Sequence, residues 1–462
     1  MEQTPVAEAT ATPRLRALLA AGAVLAAAGV LSPPSAAASL MAAGVAASGI
    51  VFAGRQLFNA RLAALERLRV RREVRGPLVE GREAEARIVL ENPSTVPLEH
   101  LEVLDQPPPF FQWRRRPRWV VTVPARGRVV VRYRFRPVVG SHSWGPLRLV
   151  AADPLGLYRA RRIVADPLVA RVQPRLMALP RVALSMPTLL QPGGVSKSRR
   201  RGVGTEFVEL REYRPGDEVR TIDWKASARL GRLIVKVFEQ ETSLNVAVVL
   251  DASAEMFRGP LGNTVVEWSA RLVATMAEYL ARRGDRYRLY LLPPGGASPR
   301  STPWLWGRAS SGYARRWLAE NLAWPTVGED RAAEEWLSAG GRAAVIARAL
   351  VRGLPRGKTL VFIVTTLEGG TAARRYAEKL RPLVALYNSV YVVMPLPTAF
   401  EAEALDSREA LLYRILLYRR IQLEAEAVKA LRRGGLRAYA ALPGDLLGII
   451  LSRIEAERGA TA

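Results

Sequence analysis

A chain of 462 residues is too long for a single compact core, so two or three domains are expected. It has no cysteine and only two histidines, His100 and His142, which excludes disulfides, thiolate catalysis, cysteine-bound zinc and, from the C-terminal half, histidine triads. The net charge of +26 suits nucleic acid, but its basic residues are spread along the chain and suit anionic lipid equally well.

The first predicted element is a transmembrane helical hairpin over residues 15–55, after a tail of residues 1–14. No charged residue occurs between Arg16 and Arg55, and this stretch is long enough for two crossings of about 20 residues each. The predicted helices cover residues 17–31 and 36–53. The break falls at residues 32–35, where two prolines stop the first helix and serine can cap the second.

Charge decides the predicted orientation of the hairpin. Arginines precede it and follow it, whereas its central turn carries no charge. By the positive-inside rule both ends, and therefore the bulk of the chain, are expected in the cytoplasm, with the protein in the cell membrane. A cleaved signal peptide with a site at residues 36–38 is the alternative, but arginines directly after a charge-free second segment favour an anchor.

Residues 65–172 are predicted to form a small β-sandwich-like module. Residues 84–90 and 129–135 alternate apolar and polar side chains, and prolines and glycines between such runs indicate turns. His142 is predicted to be a surface loop residue. Three tryptophans are predicted to pack in the core or at its edge: Trp113, Trp119 and Trp144.

Residues 173–243 are predicted to form a linker and a signature segment, in which basic, acidic and aromatic residues are interleaved. This composition indicates an ordered network of ion pairs, in which arginines such as Arg211 and Arg214 bind carboxylates such as Asp217 and Asp223. The network is either a plug that joins domains or a binding surface. The residues predicted to form it are Glu206, Arg211, Tyr213, Gly216, Asp217, Arg220, Asp223, Trp224 and Arg229.

Five short motifs occur in order between residues 206 and 229: EF, LREY, PGD, RTIDW and ASAR. In this order they resemble the hallmark of the prokaryotic "domain of unknown function 58" family. The resemblance implies a protein partner, a MoxR-type AAA+ ATPase, and a role in the assembly or maturation of other complexes.

Residues 244–458 are predicted to form a von Willebrand factor A-like α/β domain. Apolar strands near residues 245–250, 287–292, 360–365, 390–394 and 437–442 alternate with helices near residues 265–283, 332–351, 372–386, 403–433 and 446–457. This alternation predicts a parallel, doubly wound sheet that binds ligands at the carboxyl ends of its strands. No glycine-rich phosphate loop follows the first strand, so no nucleotide cofactor is predicted.

Residues 251–255 are similar to the Asp-x-Ser-x-Ser loop that holds a divalent cation in von Willebrand A domains. Asp251 and Ser253 match, but Glu255 replaces the second serine and Thr366 stands where the family has an aspartate. The resemblance therefore implies a degenerate metal site, which is either lost or holds Mg²⁺ or Mn²⁺ weakly with help from Glu255 or Glu368. The alternative is that Asp251 and Ser253 only cap the next turn.

Taken together, these features predict a membrane-anchored, non-enzymatic interaction or assembly scaffold. A nucleic-acid-binding protein is the alternative that the charge favours. A metal-dependent hydrolase built on Asp251 is the third hypothesis, although the sequence offers no second cluster of metal ligands and no base with a tuned pKa.

Overall fold

The computed structural model divides the chain into two compact units, Met1–Val172 and Gln173–Ala462. The residues that the structure describes are 10–153, 155–178, 201–215, 217, 219–239, 243–294, 298–325, 338–355, 359–387, 389–403, 407–441 and 443–461. Two apolar N-terminal helices and several sheets of mixed α and β content confirm the predicted multidomain layout.

The first unit begins with the two predicted apolar helices, α1 (Pro13–Leu31) and α2 (Pro34–Arg67). Both are long and apolar enough to cross a bilayer. They pack tightly where glycines face the other helix. A side chain added at Gly29 would lie 2.8 Å from Cγ of Met41, and one added at Gly44 would lie 3.1 Å from the carbonyl oxygen of Gly22.

Helix α2 extends well beyond the predicted span. No proline follows residue 53 until the strands begin, and apolar side chains on one face, including Phe58 and Leu65, are fully buried against the sheets. The ring of Phe58 stacks on Tyr158 at 5.8 Å. Arg162 Nη1 donates hydrogen bonds to the carbonyl oxygens of Leu65 (2.6 Å) and Leu68 (2.7 Å). These carbonyl groups at the C-terminal end of α2 therefore have hydrogen-bond donors.

Twelve strands of the first unit form three sheets. They are β1 (Thr10–Ala11), β2 (Arg69–Val74), β3 (Leu78–Val79), β4 (Ala84–Glu91), β5 (Leu98–Leu104), β6 (Gln112–Trp113), β7 (Arg118–Val123), β8 (Arg128–Arg136), β9 (Gly140–Ser143), β10 (Leu147–Ala152), β11 (Tyr158–Val164) and β12 (Val169–Gln173). The sheet orders are β1-β11-β10-β5-β7, β2-β4-β8-β6 and β3-β12-β9. Strand pairs in the first two sheets are antiparallel, and Val103 and Leu149 of one share a core with Ile88 and Leu90 of the other.

His142 is buried, so the prediction that it lies in a surface loop is wrong. It sits in β9 with only 4% of its surface exposed, because the period of the strand turns it to the same inner side as Gly140. Its Nε2 donates a hydrogen bond to the carbonyl oxygen of Val138 at 3.0 Å, and Phe111 packs edge-on at 4.9 Å. Burial lowers the pKa of His142 to about 4.

The second unit contains a six-stranded sheet in the order β17-β16-β15-β18-β19-β20. The strands are β15 (Asn245–Asp251), β16 (Arg286–Leu292), β17 (Arg300–Ser301), β18 (Thr359–Val364), β19 (Val390–Pro395) and β20 (Arg437–Ala441). All neighbouring pairs are parallel except β16 with the short edge strand β17. The three inner strands β15, β18 and β19 are nearly continuous apolar runs with buried side chains on both faces, which is why the sequence predicts them well.

Helices connect these strands. They are α4 (Val265–Arg283), α5 (Ser310–Asn321), α6 (Ala339–Gly353), α7 (Gly370–Tyr387), α8 (Pro397–Glu403), α9 (Ser407–Arg433) and α10 (Pro443–Thr461), and α3 (Trp224–Leu230) precedes them. Helix α4 has the predicted bounds because Thr264 and Glu267 form a capping box at its start and Gly284, at φ 76°, ends it. The sequence does not predict helix α5, and residues 332–337 of the helix predicted over residues 332–351 lie outside the described residues.

Candidate functional site

The signature segment folds into a hairpin that carries a short helix. Strands β13 (Arg201–Glu212) and β14 (Ile234–Glu239) pair antiparallel, and a 3₁₀ turn (Val219–Thr221) and helix α3 lie between them in the chain.

Arg211 and Asp217 form the bidentate ion pair that the sequence predicts for this segment. Nη1 of Arg211 lies 2.7 Å from Oδ2 of Asp217, and Nη2 lies 2.6 Å from Oδ1. The backbone N–H of Arg214 also donates to Oδ2 at 2.8 Å. The side-chain hydrogen bonds from Arg211, with the backbone bond from Arg214, lower the pKa of Asp217 to about 2. This pair fixes the turn that leaves β13.

Asp223 serves the local structure of α3. It is the N-cap residue, and its Oδ1 accepts hydrogen bonds of 3.1 Å from the backbone N–H groups of the first helical turn. The backbone bonds and the ion pair with Lys236, at 3.3 Å, lower its pKa. Ser227 Oγ donates to the carbonyl oxygen of Asp223 and accepts from the backbone N–H of Ile234, both at 2.8 Å. The helix is therefore pinned to β14.

The outward side of the segment is apolar and basic. Trp224, the first residue of α3, is 64% exposed, and Leu230 at its end is 56% exposed. Lys225 and Arg229 of the same helix are also exposed. An exposed tryptophan among basic residues is a common feature of binding surfaces and not of a buried joint.

The other described signature residues lie on or next to β13, in the 3₁₀ turn and on α3. Glu206 lies on β13 and Arg220 in the 3₁₀ turn. Tyr213 directly follows β13, and its backbone N–H donates to a carbonyl of the returning chain at 2.8 Å. Arg229 points to solvent on α3, and Gly216 lies outside the described residues.

A second polar cluster lies at the carboxyl edge of the six-stranded sheet. Asp251 ends β15, and Thr365 directly follows the neighbouring strand β18, where the strand order reverses and folds of this kind bind ligands. Asp251 is fully buried. Its Oδ1 accepts from the backbone N–H of Ser253 at 3.0 Å, and its Oδ2 accepts from Thr365 Oγ1 at 2.7 Å.

Arg342, which the sequence analysis did not select, provides the positive charge of this cluster. It comes from the first turn of α6 and is 4% exposed. Its Nε lies 3.3 Å from Oδ2 of Asp251, and its Nη2 lies 2.7 Å from Oε2 of Glu255 and 3.4 Å from the carbonyl oxygen of Thr366. Burial opposes the charge, but the two carboxylates outweigh it and raise the pKa of Arg342.

The structure brings the four predicted metal ligands to one place. Asp251 and Glu255 contact Arg342 with their carboxylates, and Thr366 contacts it with its carbonyl oxygen. Ser253 contacts Asp251 through its backbone N–H. The hydroxyl oxygens of Ser253 and Thr366 are buried and have no hydrogen-bond partner among the described residues. Glu368, the other carboxylate considered as a ligand, pairs instead with Arg258. Nowhere in the described ranges do three or more histidine, cysteine or carboxylate side chains form a group that could hold a metal ion.

A signal for Arg342 was present in the sequence. It lies four residues before Ile346 and eight before Leu350, both buried, so helical periodicity places it on the inward face of α6. A charged residue on an inward face requires a counterion, and the carboxylates of Glu255, at 2.7 Å, and Asp251, at 3.3 Å, provide it.

Comparison with known families supports the resemblance drawn from the motifs. The family model described as "Protein of unknown function DUF58" matches residues 209–310, from the end of β13 to the start of α5. No curated protein matches the chain.

Solved structures give only distant similarities. A putative late embryogenesis abundant protein is 12% identical, over 26% of this chain and 82% of its own, with a TM-score of 0.14. A GH20 exo-β-N-acetylglucosaminidase from Vibrio harveyi is 11% identical, over 81% of this chain and 75% of its own, with a TM-score of 0.24. A β-glucuronidase from Bacteroides uniformis is 9% identical, over 82% of this chain and 33% of its own, with a TM-score of 0.16. TM-scores this low support neither a shared fold nor a shared activity.

Proposed function

We propose that this chain, which carries the DUF58 segment, is a membrane-anchored scaffold that binds a protein partner without catalysing a reaction. The partner that the family resemblance suggests is a MoxR-type AAA+ ATPase. The observation that carries the proposal is the exposure of Trp224 at the start of α3, at 64% of its surface.

Exposure of Trp224 supports the interpretation of the signature segment as a binding surface over its interpretation as a plug between domains. A segment that only joined domains would bury its largest apolar side chain, because burying such a side chain contributes about 2–3 kcal/mol to stability. Here hydrogen bonds of Asp217, Asp223 and Ser227 hold the turn and the helix of the signature segment. Trp224 and Arg229 lie at the surface. Tryptophan and arginine are the residue types most enriched among binding hot spots.

The strand-end cluster supports a binding role over a catalytic one. Both oxygens of Asp251 already accept hydrogen bonds, and Arg342 neutralises its charge, so Asp251 is poorly suited to act as a base. A mostly parallel sheet with Asp251 at the end of a central strand is also the arrangement that the von Willebrand A-like interpretation requires.

The N-terminal helices support the membrane anchor. Large apolar side chains are exposed along both of them, and such a surface is stable in lipid and not in water. In the proposed arrangement the hairpin holds the β-rich unit and the α/β unit on the cytoplasmic side.

Binding to a MoxR-type ATPase tests the proposal. The full chain, purified in nanodiscs, is titrated with the purified ATPase and compared with Trp224→Ala. We expect the substitution to weaken binding at least ~30-fold, which corresponds to a hot-spot loss of about 2 kcal/mol. Trp224→Phe should restore part of the affinity because an aromatic anchor remains.

Trp306→Ala is the matched control, because Trp306 has the same exposed fraction, 64%, but lies outside the signature hairpin. It should bind as the unmodified chain does. Equal affinity of Trp224→Ala and the unmodified chain, or equal losses in both tryptophan variants, would refute the proposed surface.

A further inference from the structure

The cluster at the end of β15 has the oxygen donors of a cation site and already contains a cation from the chain itself. We infer that Arg342 is a built-in replacement for a divalent metal ion, and that its guanidinium excludes Mg²⁺ and Mn²⁺ from this edge of the sheet. The inference concerns ion specificity and stands independently of the proposed partner.

The hydrogen bonds of Asp251 are the first argument. A carboxylate offers about four acceptor positions. In Asp251 one is used by the N–H of Ser253 and one by the hydroxyl of Thr365, and Oδ2 also forms an ion pair, without a hydrogen bond, with Nε of Arg342 at 3.3 Å. A metal ion at the usual 2.0–2.6 Å from these oxygens would have to displace the guanidinium.

Charge is the second argument. Asp251 and Glu255 bring two negative charges, and Arg342 offsets them from a position that is almost fully buried. A guanidinium does not deprotonate in proteins, so it cannot make room for a divalent ion by losing its charge. Repulsion between the two cations is strong at this depth because little water screens it.

The unused donors are the third argument. The hydroxyl oxygens of Ser253 and Thr366 are buried without a hydrogen-bond partner in the described part of the chain. With the carboxylates of Asp251 and Glu255 they form a set of hard oxygen donors of the type that Mg²⁺ and Mn²⁺ prefer. Arg342 is then the residue that decides between an internal ion pair and a metal site.

Thermal unfolding and Mn²⁺ binding test the inference with the full chain in detergent. For the unmodified chain we expect no bound Mn²⁺ by electron paramagnetic resonance, and a Tm that changes by less than ~1 °C between EDTA and millimolar Mn²⁺. Arg342→Ala should lower Tm in EDTA by roughly 10 °C, because it leaves Asp251 buried and unpaired. It should bind Mn²⁺ and recover several degrees.

Three variants serve as controls. Arg348→Ala removes an exposed arginine from the same helix and should show neither effect. Arg342→Lys keeps the charge and should still exclude Mn²⁺. Arg342→Ala with Asp251→Asn removes the principal donor and should lose the recovery by Mn²⁺.

Two results would overturn the inference. One is binding of Mn²⁺ by the unmodified chain, a measurement that remains informative even if Arg342→Ala does not fold. The other is a folded Arg342→Ala variant that binds Mn²⁺ no better than the unmodified chain, which would make Arg342 an ordinary structural ion pair.

Discussion

The surroundings of His142 keep its imidazole neutral, and the folded state therefore loses stability in acid. The buried imidazole has a pKa of about 4, whereas in the unfolded chain it returns to about 6.5. Because the folded-state pKa is the lower one, the unfolded state binds the proton first as pH falls. The stability that the neutral ring contributes is complete above pH 6.5 and is lost progressively between pH 6.5 and 4.

We therefore predict that His142→Gln makes the free energy of unfolding less dependent on pH. Over the range from pH 7 to 4 the unmodified chain should lose up to about 3 kcal/mol more than the variant, from a shift of between two and three pKa units. Denaturant unfolding at several pH values measures this difference. His100→Asn is the control, because His100 is exposed and lies at φ 54°, where asparagine is well tolerated. Parallel pH profiles for the unmodified chain and His142→Gln would contradict the prediction.

The sequence identifies the oxygen-bearing residues of the strand-end cluster, but it does not identify Arg342 as its cation. Asp251 and Ser253 stand in a recognisable local pattern directly after an apolar strand. Arg342 is distant in sequence, and its role depends on how α6 packs beside β15 and β18, which no local pattern encodes. Similarly, the pairing of Arg211 with Asp217 was one of several possible pairings, and the turn between them selected it.

Among the elements, the apolar hairpin carries the most direct prediction, since the chain has no cysteine to interfere with labelling. Ser35→Cys, at an exposed position in the first turn of α2, should react with a membrane-impermeant maleimide added outside intact cells. Thr95→Cys, at an exposed position of the β-rich unit, should react only after the cells are permeabilised. Labelling of both positions in intact cells would refute the cytoplasmic placement, and labelling of neither would refute a crossing at Ser35.

Elements with a strong local signal were predicted closely and those without it were not. Helix α4 has both a capping box and a terminal glycine, and its bounds matched the prediction. The sequence does not predict helix α5, because the helix lacks a capping side chain at Ala309 and has three glycine or serine residues in its first turn. Helix α2 continues past its predicted end because its second half is amphipathic rather than apolar, whereas the predicted span ends at residue 53, before the next arginine.

For the whole molecule, the net charge of +26 leads to a prediction about nucleic acid. Diffuse charge attracts polyanions without distinguishing sequences. We expect duplex DNA to bind the full chain with a Kd above about 1 µM at physiological salt, independent of sequence and weakening steeply as salt increases. Fluorescence anisotropy with two unrelated duplexes measures this. Sequence-dependent binding in the nanomolar range would favour the nucleic-acid hypothesis over the scaffold.

The arrangement of the whole chain was predictable in outline because composition changes sharply along it. A charge-free stretch, an alternating stretch and a stretch of apolar strands between helices each indicate a different architecture. The pairing order of the twelve strands in the first unit was not predictable, since it depends on contacts between residues far apart in sequence, such as Thr10 with Arg159.

Helix α2 joins two environments without an interruption. Its 34 residues span about 51 Å, whereas the hydrocarbon core of a bilayer is about 30 Å thick. In the proposed membrane-anchored state, one continuous rod would start among lipid chains and finish inside the core of the β-rich unit, where Phe58 and Leu65 are locked in place. The β-rich unit could then neither rotate nor move freely relative to the membrane-spanning part of α2. The regular geometry of α2 would fix both the distance of the β-rich unit from the lipid surface and its rotation about the helix axis.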